Sequence, residues 1–207
     1  MRNILTLVAG FAMILCLNAC QKSVQPVTDA DMSLGDAKAP VTVVEYASLA
    51  CPVCAMWNNQ VFQPFKTKYV DTGKVHYVLR EALVHDPALA AAGFLTARCA
   101  GKDKYFKVVD DVYKAQSEIE SGGQPEAVLQ RIARGAGLSD DQFQACIKDP
   151  KALTAMNARW DHYVNDDHIN STPTFVINGK VYDAGFMPME QMDQAVAEAL
   201  TRGKPAA

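Results

Sequence analysis

Apolar and polar positions alternate between two textures along this chain. Val41-Thr-Val-Val-Glu-Tyr-Ala47 is a β-branched run bounded by Pro40, which predicts a buried strand. Cys51 to about Tyr69 has helical spacing, with Pro64 expected to kink it. After the Asp71-Thr72-Gly73 turn, Val75 to Arg80 predicts a second strand. Helical text follows for about 80 residues. Asp86 and Pro87 have the residue types of a cap and first turn, opening a helix to Cys99. Further helices are expected over roughly 103–115 and from Pro125 to Arg134, the latter stopped by Gly135 and Gly137. Ser139 to Gln142 spells a capping box, and Asp149-Pro150 opens a longer helix to about Asn165. Strand texture returns at Thr174–Ile177, turns at Asn178-Gly179 into Lys180–Tyr182, and gives way at Pro188 to an amphipathic helix ending near Thr201. Strands joined by a helical crossover imply a parallel pair, and the later hairpin adds antiparallel neighbours, so the class is α/β.

The first residues follow another pattern. Met1-Arg2-Asn3 is a short positive start, and Ile4 to Leu17 is almost wholly apolar. That run is shorter than the roughly 20 residues of a confident membrane span and fits a signal peptide over residues 1–19. Leu17-Asn18-Ala19-Cys20 resembles a bacterial lipoprotein signal, which implies cleavage before Cys20 and acylation of that cysteine. The alternative is a simple secreted protein in which Cys20 is incidental. Gln21 to about Ser33 is polar, contains Pro26 and has the texture of a flexible tether.

Composition narrows the field modestly. Of 207 residues, 49% are hydrophobic and 21% charged, enough apolar material for one core, and a net charge of −3 without a basic run gives nucleic acid no electrostatic footprint. Export matters more, because it changes how six cysteines are interpreted. Cys16 falls in the discarded leader and Cys20 is the lipidation candidate. Cys51, Cys54, Cys99 and Cys146 remain, in a compartment where disulfides persist. Four cysteines allow three pairings, of which one keeps Cys51 with Cys54 and joins Cys99 to Cys146. Two buried free thiols at 99 and 146 are the alternative.

Cys51-Pro52-Val53-Cys54 stands where a strand gives way to a helix. A structural zinc site needs four ligands, and neither a second CxxC nor suitably spaced histidines is present; His76, His85, His162 and His168 are expected to be structural or solvated. Redox chemistry accounts for the spacing. At a helix start, unpaired backbone N–H groups and the helix dipole stabilise a thiolate, and the second cysteine can attack a mixed disulfide on the first. This chemistry requires neither a metal nor an organic cofactor, but it does require a reachable sulfur at residue 51.

The segment from Val43 to Cys54 resembles the active-site segment of the DsbA-like family of the thioredoxin superfamily, and Ser171-Thr-Pro-Thr-Phe-Val-Ile-Asn-Gly179 resembles its cis-proline segment. The resemblance covers roughly Ser33 to Thr201. It implies a thioredoxin-like domain over residues 34–204, with a helical insertion at about 86–165. Cys51 would be the nucleophile, Cys54 the resolving thiol and Pro173 a cis-proline facing both, with the Thr172 backbone available to pair with a substrate strand. Glu45, six residues before Cys51, matches the family's buried acid, which exchanges protons with Cys54; an edge-strand carboxylate in water is the alternative. Val53 departs from the strongly oxidising form of the motif, which has histidine there. Its loss predicts a higher Cys51 pKa and a less oxidising couple than the histidine form.

Tyr46, Trp57, Phe62 and Phe65 could line a peptide surface; Phe62 and Phe65 are expected in the core. The expected activity is disulfide exchange with unfolded or partly folded envelope proteins carrying thiols, served by an unidentified membrane redox partner. The expected location is the periplasm-facing cell envelope, with the lipid as the sole membrane attachment. With no dimerisation stalk in the text, a monomer is expected. Three rivals are an isomerase or reductase kept in the dithiol form, a non-catalytic envelope lipoprotein that binds partners, and a thioredoxin-like peroxidase, for which no motif is present.

Overall fold

The computed structural model describes residues 24–182 and 185–203. The signal peptide and Cys20 lie outside them. Five strands form one mixed sheet in the order β1-β3-β2-β4-β5: β1 Met32–Leu34, β2 Val41–Ala47, β3 Val75–Glu81, β4 Thr174–Ile177 and β5 Lys180–Tyr182. β2 and β3 pair in parallel, while β1 with β3, β2 with β4 and β4 with β5 are antiparallel. The β4–β5 turn needs two residues at positive φ, and Asn178 (45°) and Gly179 (82°) supply them.

The helical run α1 connects β2 to β3 as four consecutive segments, Pro52–Trp57, Asn58–Phe62, Gln63–Phe65 and Lys66–Val70. Around Pro64, where a kink is expected, the helix changes its winding. Asn58–Phe62 and Lys66–Val70 are π-helical turns flanking the proline, and the wider loop of each turn accommodates its missing N–H donor. Trp57, Phe62 and Phe65 are buried on this helix and pack around Tyr77 and Phe175. All three are core residues, as is Tyr46, so none of these four forms a peptide surface.

Between β3 and β4 lie α2 Pro87–Cys99, α3 Lys102–Glu120, α4 Pro125–Gly135, α5 Asp140–Ile147 and α6 Pro150–Asn165; α7 Met189–Arg202 closes the chain. The caps are those the sequence spells: Asp86 accepts from Ala88 and Leu89, Ser139 and Gln142 form the reciprocal box, and Asp149 accepts from Lys151 and Ala152. The architecture is a thioredoxin-like sheet carrying a helical insertion. Cys99, exposed at the end of α2, is bonded to buried Cys146 of α5, with their Cα atoms 6.3 Å apart. This covalent link ties two helices of the insertion.

Part of the stretch taken from sequence as a tether, from Val24 on, makes contacts with the fold although most of its residues are exposed. β1 adds an edge strand to β3, and the chain before it crosses a buried arginine. Arg80 donates to the carbonyls of Gln25 and Pro26 and to Asp31, while the Gln25 N–H donates to Asp167. A three-residue strand leaves almost no periodic signal, which is why composition alone made this segment look free.

Candidate active site

Cys51 is the N-cap residue of α1, with extended backbone (φ −95°, ψ 117°), and its sulfur accepts the Cys54 N–H at 3.2 Å. Pro52 occupies the first helical position and the first turn holds no acid, so nothing opposes the positive helix end there. Facing it, the Thr172–Pro173 peptide is cis and brings the Thr172 carbonyl to 3.5 Å from the Cys51 sulfur. Both cysteines are present as thiols.

The two sulfurs are driven in opposite directions. Cys51 is lowered to about 5, chiefly by its hydrogen bond with Cys54 against the opposing effect of burial, with Thr172, the Cys54 backbone and the charge of His85 also lowering it. Cys54, more deeply enclosed, is pushed well above the ordinary thiol range by burial and by its neighbours Cys51 and Glu45. The Thr172 hydroxyl is buried without a hydrogen-bond partner, leaving a donor available to a thiolate. Valine at position 53 thus does not leave the nucleophile at an ordinary thiol pKa; Cys54 supplies the largest bias, and Thr172 and His85 from outside the CxxC add to it.

Glu45 lies on β2, flanked by β3 and β4, and only 2% of its surface is exposed, so it is no edge carboxylate. The Tyr77 hydroxyl donates to it, yet burial dominates and raises its pKa to about 8. A carboxyl in that range is protonated over most of the neutral region and can give a proton to a leaving thiolate.

One expectation needs correction. Cys51, required to be reachable, has no exposed surface in this form. The Thr172 carbonyl sits over its sulfur, although its neighbour Pro52 is exposed. The sulfur is therefore covered in this form, with an exposed residue next to it in the chain.

Sequence reasoning missed two site residues. Gln116 of α3 is buried, and its amide donates to the carbonyls of Leu49 (2.7 Å) and Cys51 (3.3 Å), fastening the loop before the nucleophile to the insertion. His85, set aside as structural or solvated, acts electrostatically on Cys51. No local pattern marks either one, because each meets the site across a long sequence separation. Among the described residues no metal-binding cluster of histidine, cysteine or acidic side chains occurs.

The family model described as Thioredoxin matches residues 27–198. A Rickettsia conorii protein named as a protein-disulfide oxidoreductase is 31% identical over 179 residues, 86% of this chain; the chain spans 63% of that relative's length. A Bacillus cereus protein named as disulfide bond formation protein D is 33% identical, covering 77% of this chain and 75% of its own. The crystal structure of Wolbachia pipientis α-DsbA1 superposes with a TM-score of 0.74 at 27% identity, over 85% of this chain and 94% of that one. The chain belongs to the thioredoxin family and, within it, to the DsbA-like proteins.

Proposed function

We propose that this protein is a thiol–disulfide oxidoreductase of the bacterial cell envelope that donates its Cys51–Cys54 disulfide to thiol-bearing client proteins. The observation that carries this reading is the opposed ionisation of the two sulfurs: Cys51 is lowered to about 5 and Cys54 raised, three residues apart at one helix start. A client thiolate attacks the Cys51 sulfur. The Cys51–Cys54 bond breaks, its electron pair goes to Cys54, and Glu45 supplies the proton that Cys54 takes up. A second client thiolate then attacks the client sulfur of the mixed disulfide and Cys51 leaves as a thiolate. Two electrons have moved from client to enzyme. A couple whose dithiol form holds a stabilised thiolate is oxidising, which favours the oxidase direction over an isomerase or reductase. Re-oxidation falls to a membrane redox partner.

The leader and Leu17-Asn18-Ala19-Cys20 support an acylated, membrane-anchored form facing the periplasm, with the docked chain from Val24 onward as its base. No described helix is long and apolar enough to cross a membrane.

A glutathione redox titration of the mature protein, paired with oxidation of a reduced unfolded substrate, tests the assignment. The expected outcome is a potential well above that of thioredoxin (about −270 mV) and substrate oxidation abolished by Cys51→Ser. A potential at or below thioredoxin's would reverse the direction, and activity surviving Cys51→Ser would remove the site.

A further inference from the structure

A small cavity of about 220 Å³ opens beside the nucleophile, lined by Ala50, His85, Leu89 and Gln116 together with the carboxylates of Asp86 and Glu120. Two of these residues belong to the CxxC's immediate surroundings: Ala50 directly precedes Cys51, and Gln116 donates to the Cys51 carbonyl. His85 comes from the connection between β3 and α2, which is pinned to the active-site loop. The Ser48 hydroxyl donates to the Val84 carbonyl at 2.9 Å and accepts the Ala50 N–H at 3.2 Å. His85 itself is exposed and holds a left-handed backbone (φ 68°), an uncommon conformation for a non-glycine residue.

We propose that His85 supplies, from this separate loop, the positive charge that the CxxC lacks at Val53, making it an electrostatic partner of the Cys51 thiolate. This rests on the oxidoreductase reading above. Histidine is the side chain that can carry a positive charge reversibly in the physiological range, and a cation beside a thiol favours the thiolate. The direct influence of His85 on Cys51 acts in the required direction. The charged groups that share the cavity lining with His85 are Asp86 on its own loop and Glu120 from α3, while Cys51, at the head of α1, directly follows Ala50 of the same lining. Because the imidazole is exposed, the interaction is screened by solvent and is of modest size.

Thiolate absorbance near 240 nm, followed against pH in the reduced mature protein, tests this. His85→Ala is expected to raise the Cys51 pKa by about 0.3–0.5 pH units in about 10 mM salt, and that difference is expected to shrink severalfold near 1 M salt. His85→Lys, with a permanent cation, restores the low value; a purely structural role would not be rescued this way. His85→Ala should also lower the equilibrium constant for oxidising glutathione by about twofold to threefold. An unchanged Cys51 pKa in His85→Ala, or failure of lysine to restore a raised one, overturns the proposal while leaving the function standing. If the wild-type thiol titrates at an ordinary value and the protein oxidises nothing, the function itself has failed.

Discussion

Two buried carboxylates sit on neighbouring strands of one sheet, and their surroundings give them opposite jobs. Glu45 on β2 and Glu81 on β3 are both almost fully enclosed. Glu81 meets two guanidinium groups, Arg98 of α2 at 2.6 Å and Arg159 of α6 at 2.7 Å, plus the Tyr105 hydroxyl of α3 at 3.0 Å. It joins three helices of the insertion to the sheet through charge-assisted hydrogen bonds. Glu45 accepts from the Tyr77 hydroxyl and, among the described residues, forms no ion pair, and burial raises it to about 8. A buried acid given counter-charges is a fastener; one denied them becomes a proton store. Burial is common to both, so the partners decide the outcome.

The largest effect should come from removing the fastener. Glu81→Ala leaves Arg98 and Arg159 without their shared anion and should destabilise the fold by about 3–5 kcal/mol, measured by denaturant unfolding. The opposite sign is expected for the proton store. A group whose folded pKa is raised contributes its stability fully below the unfolded value, and that contribution fades as pH rises through the folded one. Wild-type stability should therefore decline from about pH 4.5 towards about 8 through Glu45. Glu45→Gln should flatten that decline and stabilise the protein at pH 7 by up to about 3 kcal/mol, while slowing the step in which Cys54 leaves. If Glu45→Gln instead destabilises at pH 7 and leaves the pH dependence unchanged, the contrast between the carboxylates is wrong. A smaller effect belongs to Arg159→Met. Arg159 is partly exposed, and Arg98 remains on Glu81, so a loss of about 1–2 kcal/mol is expected.

The sulfur pair adds a further check. Cys51 titrates below the value of an unfolded thiol, so the folded dithiol gains stability as pH rises from about 5 towards the ordinary thiol range and loses it as pH falls. The gap in melting temperature between reduced and oxidised protein should accordingly widen in favour of the reduced form from pH 5 to pH 7, by calorimetry.

How much of this was legible beforehand follows from the range over which each feature is encoded. β2, β3 and the hairpin were written in β-branched runs and in Asn178-Gly179, and the helix starts in Asp86, Ser139 and Asp149. The reactive dithiol and Pro173 were written in motifs, and Glu45 stood out as a lone acid in an apolar strand. Glu81 did not, because it follows Arg80 at the end of β3, where two charged residues look like a strand reaching solvent. In the fold both are buried, Arg80 by Tyr46, Asp31 and Asp167, and Glu81 by the insertion. Gln116 and His85 carry no local signature at all. β1 was too short to register, and the π turns depend on how the helix accommodates Pro64, which residue spacing does not express.

The amide of Gln116 has an implication for anyone who would trim this protein to its sheet and the helices on either side of the insertion. Excising the helical block would remove the Gln116 amide from the carbonyls of Leu49 and Cys51, leaving the latter only the Ala55 N–H, and deprive Glu81 of both arginines at a stroke. The catalytic loop and the insertion are thus one mechanical unit, and a minimal enzyme carved from the sheet and its two flanking helices would need a new strut under residues 49–51 before it could work.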